Sequence, residues 1–187
     1  MEARILDILR EDWRYQNGLL ERLVVFTYRL RHWGRTRQPR VLWRPVAAAL
    51  APWEFVLRTM FGGQISASAT IGRRVRIPHA WGIVIHSSVV VGDDCTLYHQ
   101  ITLGVNEHRA LHQGPCLGDG VYVGAGAKIV GPITVGREAV VGANAVVIHD
   151  VPPRHAAVGV PARNVPRRDR THPDAPLLTD PMEDEAG

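Results

Sequence analysis

Four histidines in the middle of the chain, His79, His99, His108 and His112, are the residues best suited to chemistry. An imidazole with a pKa near ~6.5 can take the proton of a hydroxyl at neutral pH, and the neutral ring can ligate zinc. Glu107 and Arg109 share a short polar stretch with His108 and His112, and two cysteines, Cys95 and Cys116, stand nearby. A histidine taken singly is more often a structural or surface residue. A cysteine among apolar neighbours is more often packing than nucleophile. The choice between these readings depends on where the chain places each side chain.

That placement is set by a period of six. Aliphatic residues recur as Ile65, Ile71, Ile77, then Ile85, Val91, Leu97, Leu103, then Leu117, Val123, Ile129, Val135, Val141, Val147. The fourth place after each is small or β-branched at Ala69, Val75, Val89, Cys95, Ile101, Val121, Ala127, Ile133, Ala139 and Ala145. Neither the 3.6-residue spacing of a helix nor the alternation of an amphipathic strand fits. A parallel β-helix does: each hexad gives one short strand and one turn, and three hexads complete a coil. The aliphatic side chains point inward and stack about 4.8 Å apart. Cys95 then occupies an inward slot, as packing.

The register breaks twice, and each break is an insertion that must leave the coil. Two extra residues lie between Ile77 and Ile85, and eight between Leu103 and Leu117. The first contains His79; the second carries Asn106, Glu107, His108, Arg109 and His112. Loops held by a rigid scaffold are where chemistry tends to sit. His79 follows Ile77 by two places and His99 follows Leu97 by two, and Leu97 falls one full coil above Ile77. The two imidazoles are predicted to stack on one face.

No hexads occur before Ile65. Apolar spacing predicts helices over 3–16 and 18–33, and a third over 45–60 with Pro45 in its first turn. The organisation expected is a helical region over 1–62, a β-helix over 63–165 with a protruding loop at 104–116, and a Pro-rich, acidic-ended, disordered tail over 166–187. Residues 1–44 hold ten Arg against five acids, a basic balance expected to be a solvated helical face, since no nucleic-acid motif accompanies it. The apolar stretch from Val41 to Phe61 is interrupted by Arg44, Pro45, Pro52, Glu54 and Arg58, so no integral membrane segment is expected. Two cysteines and no secretory signal pattern suit a reducing cytoplasm.

The stretch from Ile65 to Val165 resembles the serine acetyltransferases, through IPHAWGIVIHSSVVVGDD, YHQITLG, GDGVYVGAGAKIVGPITVG and the closing VPPRHAAVGVPARNV. The resemblance implies a mainly β protein, a left-handed parallel β-helix preceded by a short α-helical region. It implies an O-acetyltransferase working as a homotrimer or dimer of trimers, with acetyl-CoA as cosubstrate in the groove between neighbouring coils and no metal. His79 falls where the family places its catalytic base, with Gln64, or else His99 or Glu107, available to orient it. Backbone around Gly104, Gly124, Ala125 and Ala143 would support the pantetheine arm, and Lys128 and Arg163 would meet the CoA phosphates. His108, Arg109 and His112 would face the acceptor hydroxyl compound. Four positions depart from the family pattern: Gln64 and Pro78 replace carboxylates, and Gln113 and Gly114 replace an Arg-His pair that holds the amino-acid acceptor. Two other readings remain open on the sequence: a zinc enzyme of the carbonic-anhydrase type using three of the histidines, and a trimeric scaffold without activity.

Overall fold

In a computed structural model, described over residues 5–37, 40–106 and 112–167, three helices precede a coil of short parallel strands. The helices are α1 (Ile5–Tyr15), α2 (Leu19–Arg37) and α3 (Arg40–Met60). The third begins five residues earlier than the sequence predicts, so Pro45 lies inside the helix and not in its first turn. Packing explains the extra turn. The Trp43 ring covers Gly34 of α2 so closely that a Cβ there would come within 2.1 Å of it. Tertiary contact of this kind outweighs the one backbone bond that Pro45 forfeits. The Glu107, His108 and Arg109 part of the loop and the tail beyond Arg167 lie outside the described residues.

The strands follow the hexads. The first face holds β1 (Gln64–Ile65), β3 (Val84–Ile85), β6 (Thr102–Gly104), β9 (Lys128–Val130) and β12 (Val146–Val147), in that order and all parallel. The second holds β2 (Thr70–Ile71), β4 (Val90–Val91), β7 (Cys116–Leu117) and β10 (Thr134–Val135). The third begins at the Arg76–Thr96 bridge and runs through β5 (Thr96–Leu97), β8 (Tyr122–Val123), β11 (Val140–Val141) and β13 (His155–Val158). The chain visits the faces in rotation, so three strands make one coil. Registers locate the insertions directly: Ile65 pairs with Ile85, Ile85 with Leu103, Leu103 with Ile129, and Ile129 with Val147. The first of these steps is two residues longer than the plain coil of three hexads, and the third is eight longer. Every aliphatic hexad residue from Ile71 to Val147 is buried, and so is every small residue at the fourth place from Ala69 to Ala145.

A stacked coil leaves unpaired backbone groups at its two ends, which must be satisfied or covered. At the first coil, Gln16 in the turn after α1 and side chains of α2 do this. Gln16, buried, donates its amide to the Val75 carbonyl at 2.7 Å and accepts from the Ile77 N–H at 3.0 Å, as a neighbouring strand would. The Tyr28 hydroxyl donates to the Ala69 carbonyl at 2.8 Å and accepts from the Ile71 N–H at 3.1 Å. Arg29 donates to the carbonyls of Ile71 and Gly72, and its Nε meets Asp12 Oδ2 at 2.6 Å. His32 Nδ1 lies 3.0 Å from the Ala67 carbonyl. At the far end the chain reverses. Strand β14 (Arg163–Pro166) pairs antiparallel with β13 and closes the third face, a closure the six-residue period does not announce.

Two predictions follow from this packing. The Arg29–Asp12 pair is buried, and burial pushes the Asp12 carboxyl above its usual range while Arg29 opposes the shift. Asp12 Oδ1 has no hydrogen-bond partner, so Asp12 depends on Arg29 alone among ions. Arg29→Met is expected to cost about 3–5 kcal/mol in urea unfolding, with part of the loss recovered by adding Asp12→Asn. Cys95 is fully buried and burial pushes its thiol up to about 11, whereas Cys116 is exposed. A thiol reagent applied to the native protein should label Cys116 and spare Cys95 until the chain unfolds, as peptide mapping would show.

Candidate functional site

The candidate site is one corner of the coil, where the third face turns into the first. At this corner and at the one between the second and third faces, the third residue after the inward aliphatic turns in the left-handed region: Arg74, Asp94, Gln100, Glu138, Asn144 and Arg154 all have φ between 54° and 58°. In the first coil Gly82, with φ 65°, does this work. A Cβ there would stand 3.0 Å from Gln100 Cγ, so the position favours glycine twice over. His79 also has φ 56°, at the second place after Ile77, where none of its equivalents His99, Ala125 and Ala143 at this corner has positive φ; Gly131 is a second-place residue that does, at a different corner. The insertion therefore imposes a left-handed turn of its own on the residue with the best chemistry, at a cost of order 1–3 kcal/mol. The turn is closed by the Trp81 N–H donating to the His79 carbonyl at 2.7 Å, with Ala80 buried at its centre.

Four side chains meet above this turn. The His79 ring is exposed and stands edge-on to His99, with centroids 5.8 Å apart and planes at 75°. The predicted stacking on one face is observed as this edge contact. His99 lies face to face with Trp81 at 4.9 Å and 16°, and the tilted Tyr98 ring lies 6.4 Å from His99 between centroids. Tyr98 in turn meets Tyr122 at 5.3 Å, and burial, with Tyr98 adding to it, pushes the Tyr122 phenol up to about 12. His99 Nδ1 is buried without a hydrogen-bond partner. Trp81, 42% exposed, and the two tyrosines were not singled out from the sequence; the only signal was an indole inside the insertion, two places after His79.

The remaining predicted residues divide by corner. Ala125 and Ala143 hold the same slot as His79 and His99 in the next two coils, each two places after an inward aliphatic, so the four form a column along one edge. The column is tied together by backbone bonds: Gln100 N–H to Trp81 O at 2.9 Å, Gly126 N–H to His99 O at 3.0 Å, and Asn144 N–H to Ala125 O at 2.8 Å. Gly124 lies so close under Ala143 that a Cβ would come 2.7 Å from its nitrogen. Lys128, on the first face beside this corner, donates its ammonium to the Gln100 carbonyl. Gly104 lies at the opposite end of the first face, its carbonyl accepting from Gly131 N–H at 3.0 Å, and Arg163 is exposed on β14.

Gln64 projects outward from β1 and makes no hydrogen bond to His79; its surroundings are a cavity under α2 and α3. The loop leaves the coil at the other corner, between the first and second faces. There Gly114 packs on Ser88 and Val89, and a Cβ on it would stand 3.0 Å from each side chain. His112 is exposed on that side, and His108 and Arg109 lie outside the described residues. Within one chain, the width of the first face separates this corner from His79. Among the described residues, no three His, Cys, Asp or Glu gather as metal ligands, and no helix is long and apolar enough to cross a membrane.

Comparison with known proteins agrees on one family. No family model matches the chain. A serine acetyltransferase of Mycobacterium tuberculosis is 45% identical over 139 residues, which are 74% of this chain and 58% of that protein. The chain spans about half the length of the curated relatives it matches. A solved serine acetyltransferase in complex with CoA aligns with 86% of this chain and 69% of its own, at 31% identity and a TM-score of 0.68. The soybean serine acetyltransferase apoenzyme aligns with 88% and 85% at 30% identity, with a TM-score of 0.58. With this identity sustained over more than two thirds of both chains, the protein belongs to the serine acetyltransferase family.

Proposed function

We propose that the protein transfers an acetyl group from acetyl-CoA to an acceptor hydroxyl, with His79 as general base, on a left-handed β-helix assembled as a homotrimer or dimer of trimers. The observation that carries this reading is the column His79, His99, Ala125, Ala143: a base at one end of an edge whose upper levels carry only small side chains. Such an edge lets an extended pantetheine arm lie against the main chain, with Gly124 and Ala125 close to it and Arg163 beyond. The solved relative that holds CoA supports acetyl-CoA as the donor. An assembly of copies is supported by the separation of the two corners. Because the width of the first face lies between the loop corner and His79 in one chain, the loop of a neighbouring copy would bring His108, Arg109 and His112 to the acceptor.

In the reaction, the His79 imidazole takes the hydroxyl proton as the oxygen attacks the thioester carbonyl. The tetrahedral oxyanion collapses, the C–S bond breaks, and the imidazolium returns the proton to the CoA thiolate. No carboxylate backs His79 among the described residues. Its orientation rests on the left-handed turn and on contact with His99, against which Trp81 stacks. An amino-acid acceptor adds an ammonium and a carboxylate, and burying either without a partner costs several kcal/mol. Gln64, Pro78, Gln113 and Gly114 do not supply those partners. The acceptor is accordingly a hydroxyl of L-serine, of a serine-like compound or of a sugar, with free L-serine used weakly.

His79→Ala should lower kcat at least ~10²-fold while the melting temperature and assembly stay unchanged; a near-normal kcat would remove His79 from the mechanism. Steady-state kinetics on L-serine should give kcat/KM below ~10⁴ M⁻¹s⁻¹, with a larger or less charged acceptor exceeding it. A value at or above that figure would show that other residues bind the amino acid.

A further inference from the structure

A cavity of about 450 Å³ lies at the base of the coil, roofed by α2 and α3 and floored by the first coil. This is within the size range of small-molecule sites. Its walls are mixed, with Tyr28, Phe55, Leu57, Phe61 and Ile83 making up the larger apolar groups. Three arginines and one acid also line it: Arg31, Arg35, Arg58 and Glu54. Arg31 is neutralised by Glu54, at 2.6 Å. Arg35 and Arg58 form no ion pair with any described residue. The polar wall atom Thr27 Oγ1 is already occupied, accepting from Trp53 Nε1 at 3.0 Å and donating to the Leu23 carbonyl at 2.7 Å. The cavity thus offers an apolar body and two uncompensated cations.

It adjoins the acetyl-transfer edge at Ala80, the buried residue of the His79 turn, but is not that edge. None of His79, His99, Ala125 or Ala143 lines it. The two are nevertheless joined by short backbone bonds: Gly82 N–H to Phe61 O at 2.6 Å, and Gln64 N–H to Ile83 O at 2.7 Å, with Phe61, Gln64 and Ile83 all in the cavity wall.

We propose that this cavity is a second binding site, for a small organic anion that carries an apolar or aromatic body. The anionic head meets Arg35 and Arg58, and the body fills the space between Phe55, Phe61 and the first coil. Because the walls belong to three elements that meet only in the folded chain, occupancy stabilises the native state by mass action. This proposal does not rest on acetyl transfer and holds or fails without it.

Isothermal titration calorimetry on the full chain tests it, with 4-phenylbutyrate and phenyl phosphate as anionic probes. The neutral 4-phenylbutanol and inorganic phosphate serve as counterparts. Saturable binding of at least one probe is expected, with Kd between about 1 µM and 1 mM, and at least tenfold weaker binding of both counterparts. Arg35→Gln with Arg58→Gln, both at exposed positions, should weaken the probe at least tenfold without changing the melting temperature of the free protein. Ala51→Trp, at another lining position, should block it. Three results would overturn the proposal: no saturable binding of either probe, equal binding of the neutral alcohol or of inorganic phosphate, or undiminished binding to the double variant. A cavity filled by a second copy in the assembled protein would give the first of these.

Discussion

The structure depends on one constraint: each inward aliphatic must stand on its equivalent in the coil below, in register, for the whole length of the prism. Ile85, Leu103, Ile129 and Val147 form one such stack on the first face, and Val91, Leu117 and Val135 one on the second. A slip of one residue would turn every one of these side chains to solvent. Extra residues can therefore be accommodated only at corners, where they leave the coil, and at the His79 corner the backbone otherwise makes the left-handed turn that Gln100 and Asn144 adopt. Chemistry is confined in the same way. The two departures from the period fall on two different corners, and the one with His79 is the smaller.

The same constraint explains the helices. A coil of parallel strands cannot end without unpaired amides, so the first coil needs an external partner. Here that partner is made of side chains: the Gln16 amide, the Tyr28 hydroxyl and the Arg29 guanidinium bond to the backbone of Ala69, Ile71, Gly72, Val75 and Ile77. The apolar contact of α2 with the coil, through Val24, Val25 and Tyr28, acts together with these bonds in fixing its position. The cavity beneath α3 follows, because α3 packs on α2 and does not itself fill the base of the coil.

Much of this was legible in the residues. The aliphatic period gave the three faces, the burial of Cys95 and the pairing of the His79 and His99 levels, because a six-residue repeat has one physical solution for side-chain direction. Gln16, Asp12 and Arg29 were not legible as buried. In sequence a polar residue on a helix reads as its solvated face, and nothing local distinguishes one that reaches a strand edge sixty residues away. Trp81 escaped notice for a related reason: its role is a ring contact with His99 from the adjacent coil, which the spacing places near but does not orient. Gln64 shows the opposite limit. Its position at the first coil is fixed by register, yet its side chain lines the cavity without a hydrogen bond to His79.

The central claim is direct transfer from acetyl-CoA to a hydroxyl at the His79 corner, with no acetyl group passing through the protein. A rapid-quench single turnover with radiolabelled acetyl-CoA and a panel of L-serine, homoserine, sugars and aminoglycosides follows the label itself. The account predicts that label moves from CoA to one acceptor at the rate of thiol release, with none on protein precipitated at any time. Label on the protein, at Cys95 or elsewhere, or no acceptor-dependent release across the whole panel, would contradict it.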